Sequence, residues 1–176
     1  MAISADALAA DAAEFLNLLT TGNLEPEELA TATEAVVLAV QDPTAYFDQY
    51  LDEEEDGWLR DCGASMTEVA LTDAVADYLC LSDKADELYE QISEAFNEPL
   101  PDPPQGFRYL YEYMRLADEE IQQRGPQPGG YELLEIADSY SDELQVLLVF
   151  RKDTPRILAL GQQLQVKVAR LDLTGA

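Results

Sequence analysis

Apolar positions recur at three- and four-residue spacing through most of the chain. They change to unbroken or alternating runs only in its last third. Leu8, Ala12, Phe15 and Leu19 share one face of a helix over residues 5–20, which Gly22 stops. Pro26, followed by Glu27 and Glu28, suits the first turn of a second helix, with Leu29, Thr33, Val36, Val37 and Val40 as its buried stripe. Asp42 can cap a short third helix opening at Pro43, whose aromatic face is Tyr46, Phe47 and Tyr50. Ser65-Met66-Thr67-Glu68 fits a capping box, and the helix it starts carries Val69, Leu71, Val75, Tyr78 and Leu79. Ser82 or Asp83 can cap the next helix, with Leu88, Ile92 and Phe96 facing inward.

Four prolines from Pro99 to Pro104 exclude a helix interior and mark a semi-rigid extended connector. Beyond it the pattern is ambiguous. Phe107, Tyr109, Tyr111 and Tyr113 alternate like a strand, whereas Phe107, Leu110, Met114, Ala117 and Ile121 keep helical spacing. The polar tail ADEEIQQR and the stop at Gly125-Pro126 decide for a helix. Residues 131–137 (YELLEIA) and 144–150 (LQVLLVF) read as strands, with turn chemistry between them over 138–143. Thr154-Pro155 starts a helix, and 166–171 (VKVARL) is a third strand. The run at 144–150 is apolar on both faces and belongs inside the sheet. The predicted class is α+β, mostly helical in its N-terminal two thirds, with a small three-stranded β-β-α-β sheet at the C-terminus. One domain over 1–176 would comprise a helical part (1–97), a Pro-rich connector (98–106) and a helix plus β-β-α-β part (107–176).

Charge changes this picture most. The formal net charge is −26, from 36 acids against 10 bases. Residues 1–59 hold 14 acids and no Lys or Arg, whereas residues 108–176 hold 11 acids and eight bases. A field this negative repels phosphate backbones and anionic lipid surfaces, so neither nucleic acid nor membrane is an expected partner. A basic protein or a cation is attracted instead. The opening MAISADALAADAAEF lacks a basic n-region, no apolar run reaches membrane-spanning length, and a cytoplasmic location is expected.

Catalytic chemistry finds few footholds. The chain has no histidine, which excludes a Ser-His-Asp triad, a Cys-His pair and a Cys/His zinc site. No phosphate loop and no dinucleotide-binding glycine pattern occurs. Cys62 and Cys80 form no CxxC motif and read as reduced, partly buried thiols. The expectation is a non-enzymatic protein with no cofactor.

The stretch DEEEDGWL, Asp52-Glu53-Glu54-Glu55-Asp56-Gly57-Trp58-Leu59, is the strongest local feature. It half-matches a calcium loop. Asp52, Glu54, Asp56, Gly57 and Leu59 fall at positions 1, 3, 5, 6 and 8, but Arg60 stands at position 9 and Gly63 replaces the bidentate Glu of position 12. As a docking surface it offers carboxylates for a partner's arginines, with Trp58 as an anchor among them. Asp48, Asp52, Glu53, Glu54, Glu55, Asp56, Trp58 and Asp61 are therefore the candidate partner-binding residues. Trp58 also suits a core position closing the turn between two helices. Acids at the end of the third helix would oppose its macrodipole, so that helix is expected to fray or stop early. Two further readings stay open: a divalent-cation-dependent regulatory or catalytic role for the carboxylates, and a salt-adapted surface whose acids serve solubility alone.

The segments GWLRDCGASMTEVALTDAVADYLCLSDKADELYEQI (57–92) and YELLEIADSYSDELQVLLVFRKDTPRILALGQQLQVKVARLD (131–172) resemble a bacterial family of small acidic proteins of unknown function, over roughly residues 57–172. The resemblance implies an intracellular bacterial protein with a helical part and a terminal small sheet. It implies no activity and lends no functional residue. Small acidic α+β proteins of this kind also include toxin-neutralising immunity proteins, an analogy of fold and charge.

Overall fold

A computed structural model describes residues 4–137 and 140–173. Asp138 and Ser139, which open the turn expected at 138–143, lie outside the described residues, as do Met1–Ile3 at the start of the N-terminal stretch. Five helices come first: α1 (Ala5–Leu19), α2 (Pro26–Gln41), α3 (Pro43–Tyr50), α4 (Glu53–Asp61) and α5 (Met66–Ala74). Strand β1 (Leu79–Ser82), α6 (Ala85–Glu94) and α7 (Leu110–Ile121) follow. Strands β2 (Tyr131–Ile136) and β3 (Leu144–Phe150), α8 (Thr154–Leu164) and β4 (Val168–Arg170) complete the chain.

Short polar side chains begin several helices, although the cap expected from Ser82 or Asp83 does not form: Lys84 is the N-cap of α6 and makes no side-chain cap bond. The Ser4 hydroxyl accepts from the Ala7 amide, Asp42 accepts from Ala45, and Ser65 accepts from Glu68. Gly22 ends the α1 turn at φ +79°, a conformation that suits glycine. At α7 the Glu112 carboxylate accepts the Arg108 and Tyr109 amides at 2.8 and 2.9 Å. That cap settles the ambiguous tyrosine run as a helix starting at Leu110.

The sheet is antiparallel, in the order β1-β3-β2-β4. Strand β3 sits between two neighbours, as its two apolar faces require. Leu134 pairs with Leu147 and points to one face, while Leu133 pairs with Leu148 and points to the other. Leu134, Ile136, Leu147 and Val149 join one core with Phe15 and Leu16 of α1 and Ile157 and Leu160 of α8. Cys80, Leu133 and Val146 join a second core with Leu88 and Ile92 of α6 and Met114 and Ile121 of α7. The result is a helix–sheet–helix sandwich, with α2, α3 and α5 extending the first helical layer. Gly130, at φ +60°, lets β2 start against the end of α7, since a Cβ there would stand 2.4 Å from the Gln122 carbonyl oxygen.

One strand more than expected is present. The helix opening at Met66 stops at Ala74, and Leu79–Ser82 pairs with β3, Leu79 facing Leu147 and Cys80 facing Val146. Four residues are too short to betray a strand by period, and pairing with β3 overrides the helical spacing of Tyr78 and Leu79. This edge is protected. The Gln91 side chain accepts the Leu81 N–H at 2.7 Å and donates to the Leu81 carbonyl at 2.9 Å, occupying a site another strand could use. The Pro-rich connector is likewise tied down. Leu100 is buried, the Leu100 N–H donates to Ser93 Oγ, the Tyr89 hydroxyl donates to the Pro101 carbonyl, and Arg124 donates to the Glu98 and Pro99 carbonyls.

A buried carboxylate joins the C-terminal elements. Glu132 Oε2 accepts from Thr154 Oγ1 at 2.6 Å, and Oε1 accepts from Arg170 Nε at 2.9 Å, with Arg151 Nη1 at 3.6 Å. Replacing Glu132 by Ala leaves a fully buried hydroxyl and two guanidinium groups without this acceptor. The expected loss of unfolding free energy is roughly 3 kcal/mol, read as a shift in the urea midpoint. Glu132→Gln, which keeps an acceptor for Thr154, should lose less. Equal midpoints for Glu132→Ala and the parent would remove this carboxylate from the stability argument.

Arg156 ties α8 to α1 by donating to Glu14 from Nε at 2.9 Å and from Nη2 at 2.5 Å. These hydrogen bonds hold the Glu14 carboxyl below the usual carboxylate range. A depressed folded pKa contributes stability that is present above the unfolded value, about 4.3, and is lost as pH falls through the folded pKa. The expected outcome is that Glu14→Gln lowers stability at pH 7 and that parent and variant converge at the acid end of a stability–pH curve.

Candidate functional site

The acidic stretch does not sit at the end of a helix. Leu51 is extended at φ −120°, ψ 161° and terminates α3, and Asp52 begins α4. Asp52 Oδ1 accepts the Glu54 and Glu55 amides at 2.7 and 3.3 Å, and the Asp52 N–H donates to Asp56 Oδ2 at 2.9 Å. Glu53, Glu54, Glu55 and Asp56 fill the first turn of α4, where the macrodipole favours negative charge. The expected conflict between the acids and the end of the third helix therefore does not arise: a new helix starts where that one was expected to fray. The same placement removes the calcium loop, because residues 53–61 are helical. Among the described residues no three carboxylate or thiol groups converge as metal ligands.

The candidate residues divide into two sets. Arg60 bridges Asp48 at 2.9 Å and Glu53 at 2.6 Å, with its guanidinium carbon 3.6 Å from the Phe47 ring centroid. Asp48 thus ties α3 to α4 through Arg60, while Asp52, Glu53 and Asp56 are engaged within the start of α4. Glu54, Glu55 and Asp61 are exposed and make no such contact among the described residues. Trp58 is not a core residue closing a turn. It is 51% exposed, with its indole 6.5 Å from the Tyr140 ring.

Beside Trp58 opens a feature that the sequence pattern does not reveal. A groove of about 500 Å³ is lined by Tyr46, Tyr50, Trp58 and Tyr140, with Asp56 and Asp73 among its walls. A second groove of about 540 Å³ lies between α2 and α5, shares Tyr46, Tyr50 and Asp73, and adds Glu27, Glu28 and Asp77. No Lys or Arg is among the described residues lining either. Tyr50 stacks on Tyr46 with ring centroids 5.2 Å apart. Burial, then Asp73, pushes the Tyr46 phenol well above its ordinary range. The Tyr140 phenol is likewise pushed up by burial, against a hydrogen bond shared with Thr72. The aromatic face Tyr46–Phe47–Tyr50 was legible as helical spacing, but the groove was not. Its walls come from α2 to α5, β1 and the start of β3, and only tertiary packing brings these together.

The two cysteines are free, Cys62 exposed and Cys80 buried. Burial raises the Cys80 thiol to about 11, so it stays protonated at neutral pH. The exposed tyrosine of the α7 run is Tyr109, at 60%, stacked on Tyr111. No described helix is long and apolar enough to cross a membrane.

A family model described as a domain of unknown function (DUF6630) matches residues 11–172. The chain belongs to that family. No curated protein and no solved structure matches the chain. The DUF6630 match reaches further toward the N-terminus than the resemblance over 57–172, and so takes in the acidic stretch, both grooves and all four strands.

The N-cap role of Asp52 makes a direct test of the acidic stretch. Asp52→Ala should cost about 1 kcal/mol of unfolding free energy, whereas Glu54→Ala, at an exposed position, should stay within about 0.5 kcal/mol of the parent. Urea denaturation of both variants checks this, and equal costs would mean that the stretch acts only through net charge.

Proposed function

We propose that this chain is a non-enzymatic interaction protein whose acidic surface binds a basic protein partner. An inhibitor of the antitoxin or immunity type is its concrete form. The carrying observation is the segregation of charge. Residues 1–59 contribute 14 acids and no base, and Arg60, the first cation to follow, is already engaged by Asp48 and Glu53. Arg156 pairs with Asp11 and Glu14, and the other carboxylates of residues 1–59 have little internal compensation. A basic surface would complete it, and long-range attraction would raise the association rate. Two free thiols fit a reducing, cytoplasmic setting for such an encounter.

One observation favours a second reading. Acids in the first turn of α4 stabilise that helix by themselves, so they need no partner to be retained. A surface whose acids serve only solubility would make the protein more stable as salt is added, without any salt-sensitive partner.

Retention on the tagged protein at low and high salt separates the two. One basic protein held at low ionic strength and released above about 0.5 M salt, where the screening length falls to a few ångströms, is the expected result. Binding insensitive to salt would end the electrostatic proposal. A blank at both salts together with salt-induced stabilisation would favour the solubility reading.

A further inference from the structure

Tyr46 is 2% exposed, yet it lines both grooves, and its hydroxyl makes no hydrogen bond to any described residue. The hydroxyl oxygen is not enclosed: it opens onto the grooves and is free to accept from a group entering them. The charges acting on this one are the carboxylates of Asp73 and Asp56, from α5 and α4. The phenol keeps its proton and offers a lone pair. A group entering beside it meets a neutral hydroxyl oxygen, two carboxylates and flat aromatic faces. Those faces are exposed: Tyr50 at 42% and Trp58 at 51%, with the edge-strand residue Leu81 beside them.

We infer that this groove is where the basic partner docks, and that it receives an arginine side chain presented by that partner. The inference rests on the function proposed above and names its contact surface. A guanidinium group satisfies each feature of the groove. Its plane stacks on Tyr50 and Trp58, and its N–H groups donate to the Asp73 and Asp56 carboxylates and to the Tyr46 oxygen. A lysine ammonium has no plane to stack and only three donors, on a strongly hydrated point charge, so arginine is the preferred occupant. Charge complementarity commits the occupant to a cationic protein segment, because no Lys or Arg is among the described lining residues.

A second copy of the chain is the rival occupant. The start of α7 carries Arg108 beside the exposed Tyr109 and Leu110, an arginine-bearing aromatic patch of its own. Sedimentation of the protein alone tests this. Self-association abolished by Arg108→Ala would overturn the inference of an external partner.

Trp58 is the only tryptophan in the chain and reports on the groove directly. The full-length protein is titrated with nona-arginine and nona-lysine peptides at about 0.15 M salt, read by Trp58 emission and by calorimetry. Nona-arginine should shift the emission and bind more tightly than nona-lysine. Tyr50→Ala and Asp73→Asn, both at exposed positions, should each weaken nona-arginine binding roughly tenfold. Glu54→Gln removes the same charge as Asp73→Asn from outside the groove and should weaken binding less than about twofold. Equal effects of Asp73→Asn and Glu54→Gln with unmoved emission would overturn the groove and leave the basic-partner reading standing. Equal affinity for the two peptides would overturn the choice of arginine. No binding of either peptide, even at low salt, would overturn both readings.

Discussion

A carboxylate buried against a sheet must be answered by donors, and Glu132 is answered from three directions. Thr154 at the start of α8, Arg170 of β4 and Arg151 just beyond β3 all converge on it. Arg151 also reaches Asp118 of α7 at 2.8 Å. One side chain on β2 therefore fixes where α8 leaves the sheet, where β4 lies and how α7 meets the opposite face. An unpaired carboxylate here would carry a desolvation cost of several kcal/mol, so the arrangement is far more constrained than apolar packing alone would make it. The helical layer is positioned by this frame. Arg156 of α8 holds Glu14 and Asp11 of α1, and α1 packs with β3 in the larger core.

The same logic explains how so acidic a chain stays folded. Ten bases cannot neutralise 36 acids, so their placement matters more than their number. Arg60 joins α3 to α4, Arg156 joins α8 to α1, and Arg151 and Arg170 serve Glu132. Each is committed at a junction between elements. The acids without a cation are handled locally: Asp52 and Asp42 cap helices, and the run from Glu53 to Asp56 lies at a helix start, where backbone N–H groups favour it. The residual negative field is concentrated in the part of the molecule built from residues 1–59.

Much of this architecture was legible in the sequence, for reasons that differ by element. Helices α1, α2 and α3 declare themselves through apolar spacing and through Gly22, Pro26, Asp42 and Pro43, all local signals. Strand β3 is recognisable because an interior strand is apolar on both faces. Strand β1 was hidden because its stability comes from β3, some 65 residues later, and not from its own four residues. The boundary between α3 and α4 was misread for a related reason. Five acids in a row fit the start of a helix as well as a solvated helix end, and the extended backbone of Leu51, a single residue, decides between them.

The candidate site was legible to the same partial degree. The acidic stretch was visible as composition, but half of it turns out to stabilise α3 and α4, and the exposed aromatic surface lies beside it. That surface is composite. Trp58 belongs to α4, Tyr50 to α3, Asp73 to α5 and Tyr140 to the approach to β3. Composite origin has a physical consequence. Tyr50 and Trp58 come from separate helices and present exposed surface beside Leu81 of the edge strand β1. Packing that closed the groove would bury the aromatics against one another, at a favourable 25 cal/mol or so per Å² of apolar surface. Around the groove, Arg60 joins α3 to α4, and the Tyr140 hydroxyl is hydrogen-bonded to Thr72 of α5. The charge network therefore lies beside the aromatic surface and shares α3 and α4 with it.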